Sequence, residues 1–72
     1  MKGSKNVKWD YPIDLENDCK VWFSEDGDWT LRQYGRGSEI EIFQFGTYLV
    51  SWPTVAIAKA EVNRLAKQEV AR

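Results

Sequence analysis

The chain has no histidine, a single cysteine, two prolines and no apolar run that approaches the length of a membrane span. Each lack excludes something. Cys19 has no partner for an internal disulfide, and one thiol without histidine cannot assemble the usual zinc sites. Thiol catalysis is disfavoured on similar grounds, because only Lys20 or Arg32 could activate Cys19. A lone thiol fits a reducing compartment, so a cytoplasmic location is expected. A helical span needs about 20 apolar residues, and Met1–Lys8 is polar with no hydrophobic stretch behind it. Neither a membrane segment nor a signal peptide is therefore expected, and no cofactor is expected either.

Aromatic side chains are absent from residues 53–72; all of them lie between Trp9 and Trp52, and an alanine-rich helical pattern follows from Thr54. That division predicts an α+β domain, a four-stranded antiparallel β-meander packed on one C-terminal α-helix, with an extended N-terminal arm. A chain of 72 residues is near the size at which folding buries only about 60% of the unfolded surface. Aromatics, at roughly 150–250 Å² each, supply much of what is buried. Residues 1–8 are expected to be a disordered basic tail and residues 9–72 a single sheet-plus-helix domain.

The net charge of −1 conceals an uneven distribution. Lys2, Lys5 and Lys8 begin the chain. Asp10, Asp14, Glu16, Asp18, Glu25, Asp26 and Asp28 follow against Lys20 alone, and the helix region carries Lys59, Arg64, Lys67 and Arg72 against Glu61 and Glu69. A polyanion would meet the acidic stretch unfavourably unless it approached from the helix side.

Four strands are expected, at about residues 19–24, 29–34, 39–45 and 48–52, joined by glycine turns short enough to require antiparallel pairing. Pro12 keeps the preceding segment out of a central strand, and Trp9, Tyr11 and Ile13 are expected to fold across the sheet as an arm. Turn length sets register. A three-residue Glu25-Asp26-Gly27 loop with Gly27 left-handed sets Val21 opposite Leu31, whereas a two-residue turn would set Val21 opposite Arg32; the former is preferred. The loop at residues 35–38 sets Leu31 opposite Ile42 and Arg32 opposite Glu41, an ion pair across strands. Gly46-Thr47 suits a type II′ turn that brings Val50 opposite Phe43.

These registers assign Cys19, Val21, Phe23, Trp29, Leu31, Ile40, Ile42 and Leu49 to a core face under the helix. Lys20, Trp22, Thr30, Arg32, Tyr34, Glu39, Glu41, Phe43, Phe45, Tyr48, Val50 and Trp52 fall on the second face. The helix should start at Thr54, whose hydroxyl can cap free amides, with Val55, Ala58, Val62, Leu65 and Ala66 toward the sheet. Lys59, Glu61, Asn63, Arg64 and Lys67 should point mainly to solvent.

Motifs for chemistry are weak. Asp14, Glu16, Asp18 and Glu25 match the first, third, fifth and twelfth positions of a calcium loop, but Cys19 stands where that loop needs glycine. Glu25, Asp26 and Asp28 around Gly27 are explained by turn preference. Gly35-Arg36-Gly37-Ser38 joins two strands and does not open a helix, so it lacks the amides that cradle phosphate. The order of sheet then helix, with Asp-Gly-Asp-Trp-Thr-Leu-Arg at residues 26–32 and Pro-Thr-Val-Ala-Ile-Ala-Lys at 53–59, is loosely similar to the arm-binding domains of tyrosine integrases. The likeness covers about half the chain and departs on charge, so membership is not inferred.

No catalysis is expected. The second face points to a small protein-interaction module, an accessory or inhibitory protein, with Trp22, Arg32, Tyr34, Glu41, Phe43, Phe45 and Tyr48 as its contact residues. The alternatives are self-association through that face, or stacking of unpaired nucleic-acid bases, which Glu39, Glu41 and the acidic flank disfavour.

Overall fold

The computed structural model describes residues 6–70, and of Glu69 and Val70 only the backbone. Its elements are β1 (Ile13–Asp14), β2 (Lys20–Phe23), β3 (Trp29–Gln33), β4 (Ile40–Gln44), β5 (Thr47–Trp52) and α1 (Val55–Val70). The strands form one antiparallel sheet in the order β1-β2-β3-β4-β5. The expected meander and C-terminal helix are present, and the arm adds β1 as a fifth, two-residue strand by pairing Ile13 with Val21.

Thr54 caps α1 as expected, its Oγ1 accepting from the Ile57 N–H at 3.2 Å. One stripe of the helix, Ala58 and Val62 fully buried with Val55, Leu65 and Ala66 beside them, packs on the sheet. The helix lies mainly over β4 and β5. Ile40 and Ile42 beneath it are fully buried, as is Leu31 on the neighbouring strand.

The middle hairpin has the expected register, with Leu31 opposite Ile42 and Arg32 opposite Glu41. The first hairpin does not. Val21 pairs with Arg32 and Trp22 with Leu31, a slip of one residue from the preferred register, and such a slip turns every side chain of a strand to the other face. Trp22 therefore joins the core at 7% exposure, and Phe23 is turned out. Ser24 explains the choice. Buried at 2% exposure, its Oγ accepts from the Trp29 N–H at 3.0 Å and donates to Asp26 Oδ1 at 2.7 Å. The backbone bond from Ser24 N–H to the Trp29 carbonyl closes a four-residue loop, Glu25 to Asp28, with Gly27 left-handed.

The last hairpin also differs. Its turn is Phe45-Gly46, both with positive φ (52° and 82°), which is the type I′ form, and it closes on Gln44 paired with Thr47. A bulge follows, because Phe43 pairs with Tyr48 while Ile42 pairs with Val50, leaving Leu49 as the extra residue. The bulge shifts the register again, so Val50 and Trp52 face the helix, contrary to expectation.

The arm does not lie across the second face. Trp9 bridges Ser24, Asp10 N–H donates to the Phe23 carbonyl at 2.9 Å, and Glu25 N–H donates to the Lys8 carbonyl at 2.8 Å. Val7 and Trp9 then pack against the helix-side core, and Val7 N–H donates to Asn63 Oδ1 at 2.8 Å. Lys59 Nζ sits 5.8 Å from the centre of the Trp9 ring. Lys59 and Asn63, expected in solvent, thus hold the arm. Of the tail expected over 1–8, residues 1–5 lie outside the described residues, whereas Val7 and Lys8 are hydrogen-bonded. Since α1 covers β4 and β5, the rest of that face is filled by Trp9, Trp22 and Trp29, wide rings doing the covering that a second helix would do.

Candidate functional site

The face opposite the helix is built by strand alternation. From the observed registers it carries Ile13, Val21, Phe23, Thr30, Arg32, Tyr34, Glu41, Phe43, Tyr48 and Ser51. No helix or arm covers it among the described residues, and Tyr34 (55%), Tyr48 (51%), Ile13 (47%) and Phe23 (41%) are exposed there.

Arg32 is its centre. The guanidinium carbon lies 4.4 Å from the Tyr34 ring centre and 4.6 Å from that of Phe43, so a planar cation is held between two aromatic faces. Arg32 Nε donates to Glu41 Oε1 at 3.2 Å. Phe43 meets Tyr48 edge-on with ring centres 5.8 Å apart, and the Tyr48 hydroxyl is 2.8 Å from Ser51 Oγ. The chain of contacts Tyr34, Arg32, Phe43, Tyr48 crosses three strands and restrains each side chain through its neighbour. A guanidinium has five N–H donors, and the bond to Glu41 engages only Nε, on a side chain still 35% exposed. The cluster therefore presents aromatic surface, N–H donors and a compensating carboxylate.

Five of the seven expected contact residues meet here: Arg32, Tyr34, Glu41, Phe43 and Tyr48. Trp22 does not, being buried on the helix face. Phe45 stands apart at the β4–β5 turn, 70% exposed. Phe23 and Ile13, which the expected register hid or assigned to the arm, belong to this face. The signal for Phe23 was Ser24: a residue that turns its hydroxyl inward to cap the loop forces its neighbour outward. Lys20, Val50 and Trp52, expected here, lie on the helix face, while Glu39 is exposed just before β4. Tyr11, expected to shield this face, is 93% exposed beyond the sheet edge.

The remaining chemistry is held in local pairs. A cleft of about 410 Å³ is lined by Asp14, Leu15, Asp18, Cys19, Lys20, Gln33 and Arg36, and its charges are paired as Lys20–Asp14 (3.7 Å) and Arg36–Asp18 (3.9 Å). Glu25 lies at the other end of β2 from Asp14 and Asp18, so the calcium-loop positions do not converge. Among the described residues, no group of three or more potential ligands is placed to hold a metal ion. Asp26 Oδ1 accepts from the Ser24 hydroxyl and from the Asp28 N–H, and these bonds hold its carboxyl below the usual carboxylate range. No helix among the described residues is long and apolar enough to cross a membrane. Comparison with known proteins finds no family, curated protein or solved structure that matches the chain.

Proposed function

We propose that the protein is a small non-catalytic interaction module that binds another protein through the sheet face opposite the helix, as an accessory or inhibitory factor. The observation that carries this is the Arg32 cluster: an arginine held between Tyr34 and Phe43 and paired with Glu41, on a face with exposed aromatic and apolar side chains around it. Arginine and tyrosine are the usual anchors of protein interfaces. A prearranged side chain loses less entropy on binding than a free one. The Arg32–Glu41 pair makes the centre of the face close to neutral, which suits a mixed polar and apolar protein surface better than phosphate.

A photo-crosslinking residue at Tyr34, compared with one at the exposed helix position Ala60, tests this in cells. The expected result is a discrete protein adduct from position 34, absent from position 60 and lost when Arg32 is changed to alanine. A nucleic-acid adduct, an adduct only with copies of this chain, or no adduct would each overturn it.

A further inference from the structure

We infer that the protein pairs with a second copy of itself through the outer edge of β5, forming one continuous sheet across the two chains. This concerns the backbone edge of β5; the side chains of Tyr48 and Ser51 belong to the face of the Arg32 cluster, which the pairing would extend across both chains.

The two edges of the sheet differ. The β1/β2 edge carries Asp10, Asp14 and Lys20 and has Pro12 beside it, and the backbone from Lys8 to Asp10 bonds along the end of β2. Charge, proline and covering chain are the usual protections against edge pairing. The β5 edge has no charge and, among the described residues, no covering chain; its proline, Pro53, stands only after its last residue, Trp52. No charged residue occurs between Glu41 and Lys59, and no described segment lies beyond β5 in the sheet. Leu49 is 41% exposed and Ile57, on the nearby helix, 43%.

Backbone alternation identifies the free groups. Gln44 and Thr47 close the turn as a bonded pair, so Tyr48 is turned away from β4 and, beyond the bulge, so is Ser51. An antiparallel second copy presents the same two residues in reverse order. Tyr48 of one chain then meets Ser51 of the other on both sides of a two-fold axis passing between Leu49 and Val50. Each such pair exchanges an N–H···O bond in both directions, and all four side chains fall on the face opposite the helices. The bulge, which ordinarily blunts an edge, is matched here by its own copy.

The helices fit the same symmetry. A two-fold axis normal to the sheet keeps both on one side, and α1 lies over β4 and β5. Each helix axis then stands about one strand spacing, ~5 Å, from the two-fold, so the two are about 10 Å apart, the distance of ordinary helix packing. Lys59 and Asn63 face the arm, so by helical period Ile57, Glu61 and Arg64 lie on the flank toward β5. That flank brings the apolar Ile57 and an ion pair, Glu61 with Arg64, closed within each helix, so no unpaired charge of one sign meets its symmetric copy. A net charge of −1 adds little self-repulsion.

Sedimentation equilibrium over a concentration series, with amide hydrogen exchange at each concentration, tests the inference. The expected mass rises from 8.4 kDa to twice that value, and the Tyr48 and Ser51 amides gain protection in step with it. Ser51→Pro removes an outward N–H without touching the bonds to β4, and should raise the dimer dissociation constant by about tenfold or more. Leu49→Lys adds an edge charge and should do the same even where the proline variant fails to fold. A single 8.4 kDa species at every concentration, or a dimer whose Tyr48 and Ser51 amides stay unprotected, would overturn it.

Discussion

The two faces of the sheet spend their aromatic residues in opposite ways. On the helix side, Trp9, Trp22, Trp29 and Trp52 sit beside Leu31, Ile40 and Ile42 and fill space that a single helix leaves uncovered. On the other side, Tyr34, Phe43 and Tyr48 hold one another and Arg32 in place with no layer above them among the described residues. Tryptophan serves folding here, and tyrosine with arginine forms the surface we propose for binding. The lesson is that a small chain rich in aromatics need not have them all in one core, and that the polar neighbours of a ring show which task it has.

Paired substitutions across this division would break it or sharpen it. Leu31→Ala removes a fully buried side chain and should cost about 2–5 kcal/mol, whereas Tyr34→Ala, three residues on, should cost less than about 1 kcal/mol. Urea unfolding of the two variants measures both, and equal losses would mean that the open face is a second core. Ser24→Ala comes next. It leaves the Trp29 N–H without its side-chain acceptor in a buried site and should cost about 1–3 kcal/mol, with chemical-shift changes confined to the first hairpin.

Phe45 gives the opposite sign. It adopts φ 52° in a turn where asparagine before glycine is preferred, so Phe45→Asn should raise stability by about 1 kcal/mol. If the ring belongs to the interface, the same variant should bind less well, and a thermal melt with the crosslinking assay separates these effects. The smallest effect is that of pH. Because the folded state lowers the pKa of Asp26, its contribution is complete above the ordinary aspartate value near pH 4 and is lost as pH falls through the lowered value. The group is exposed, so the contribution is under about 1 kcal/mol, and Asp26→Asn should flatten the acid limb of stability by that amount.

Much of the architecture was legible because periodicity and punctuation agree. The helix from its Thr54 cap, the meander, and the Arg32–Glu41 pairing follow from spacing and loop length. The first hairpin was not, since Lys20-Val21-Trp22-Phe23 offers apolar residues to either face and periodicity alone cannot choose. The choice rests on a buried hydroxyl, Ser24, and on the space beside α1 that only a ring as wide as Trp22 fills. The third hairpin was missed because a left-handed phenylalanine is a costly turn residue that local preference ranks low. Of the candidate face, Arg32, Glu41 and Phe43 fall where expected because the register of β3 and β4 depends on one loop. Trp22 was misassigned because its register depended on another.

The most direct test of the division between the faces is one protein carrying both Arg32→Ala and Tyr34→Ala, with the crosslinker moved to Thr30 on the same face. The expected result is a urea unfolding free energy within about 1 kcal/mol of the parent together with loss of the adduct that the parent gives from position 30. A variant that unfolds as readily as Leu31→Ala, or one that keeps the adduct, would contradict it.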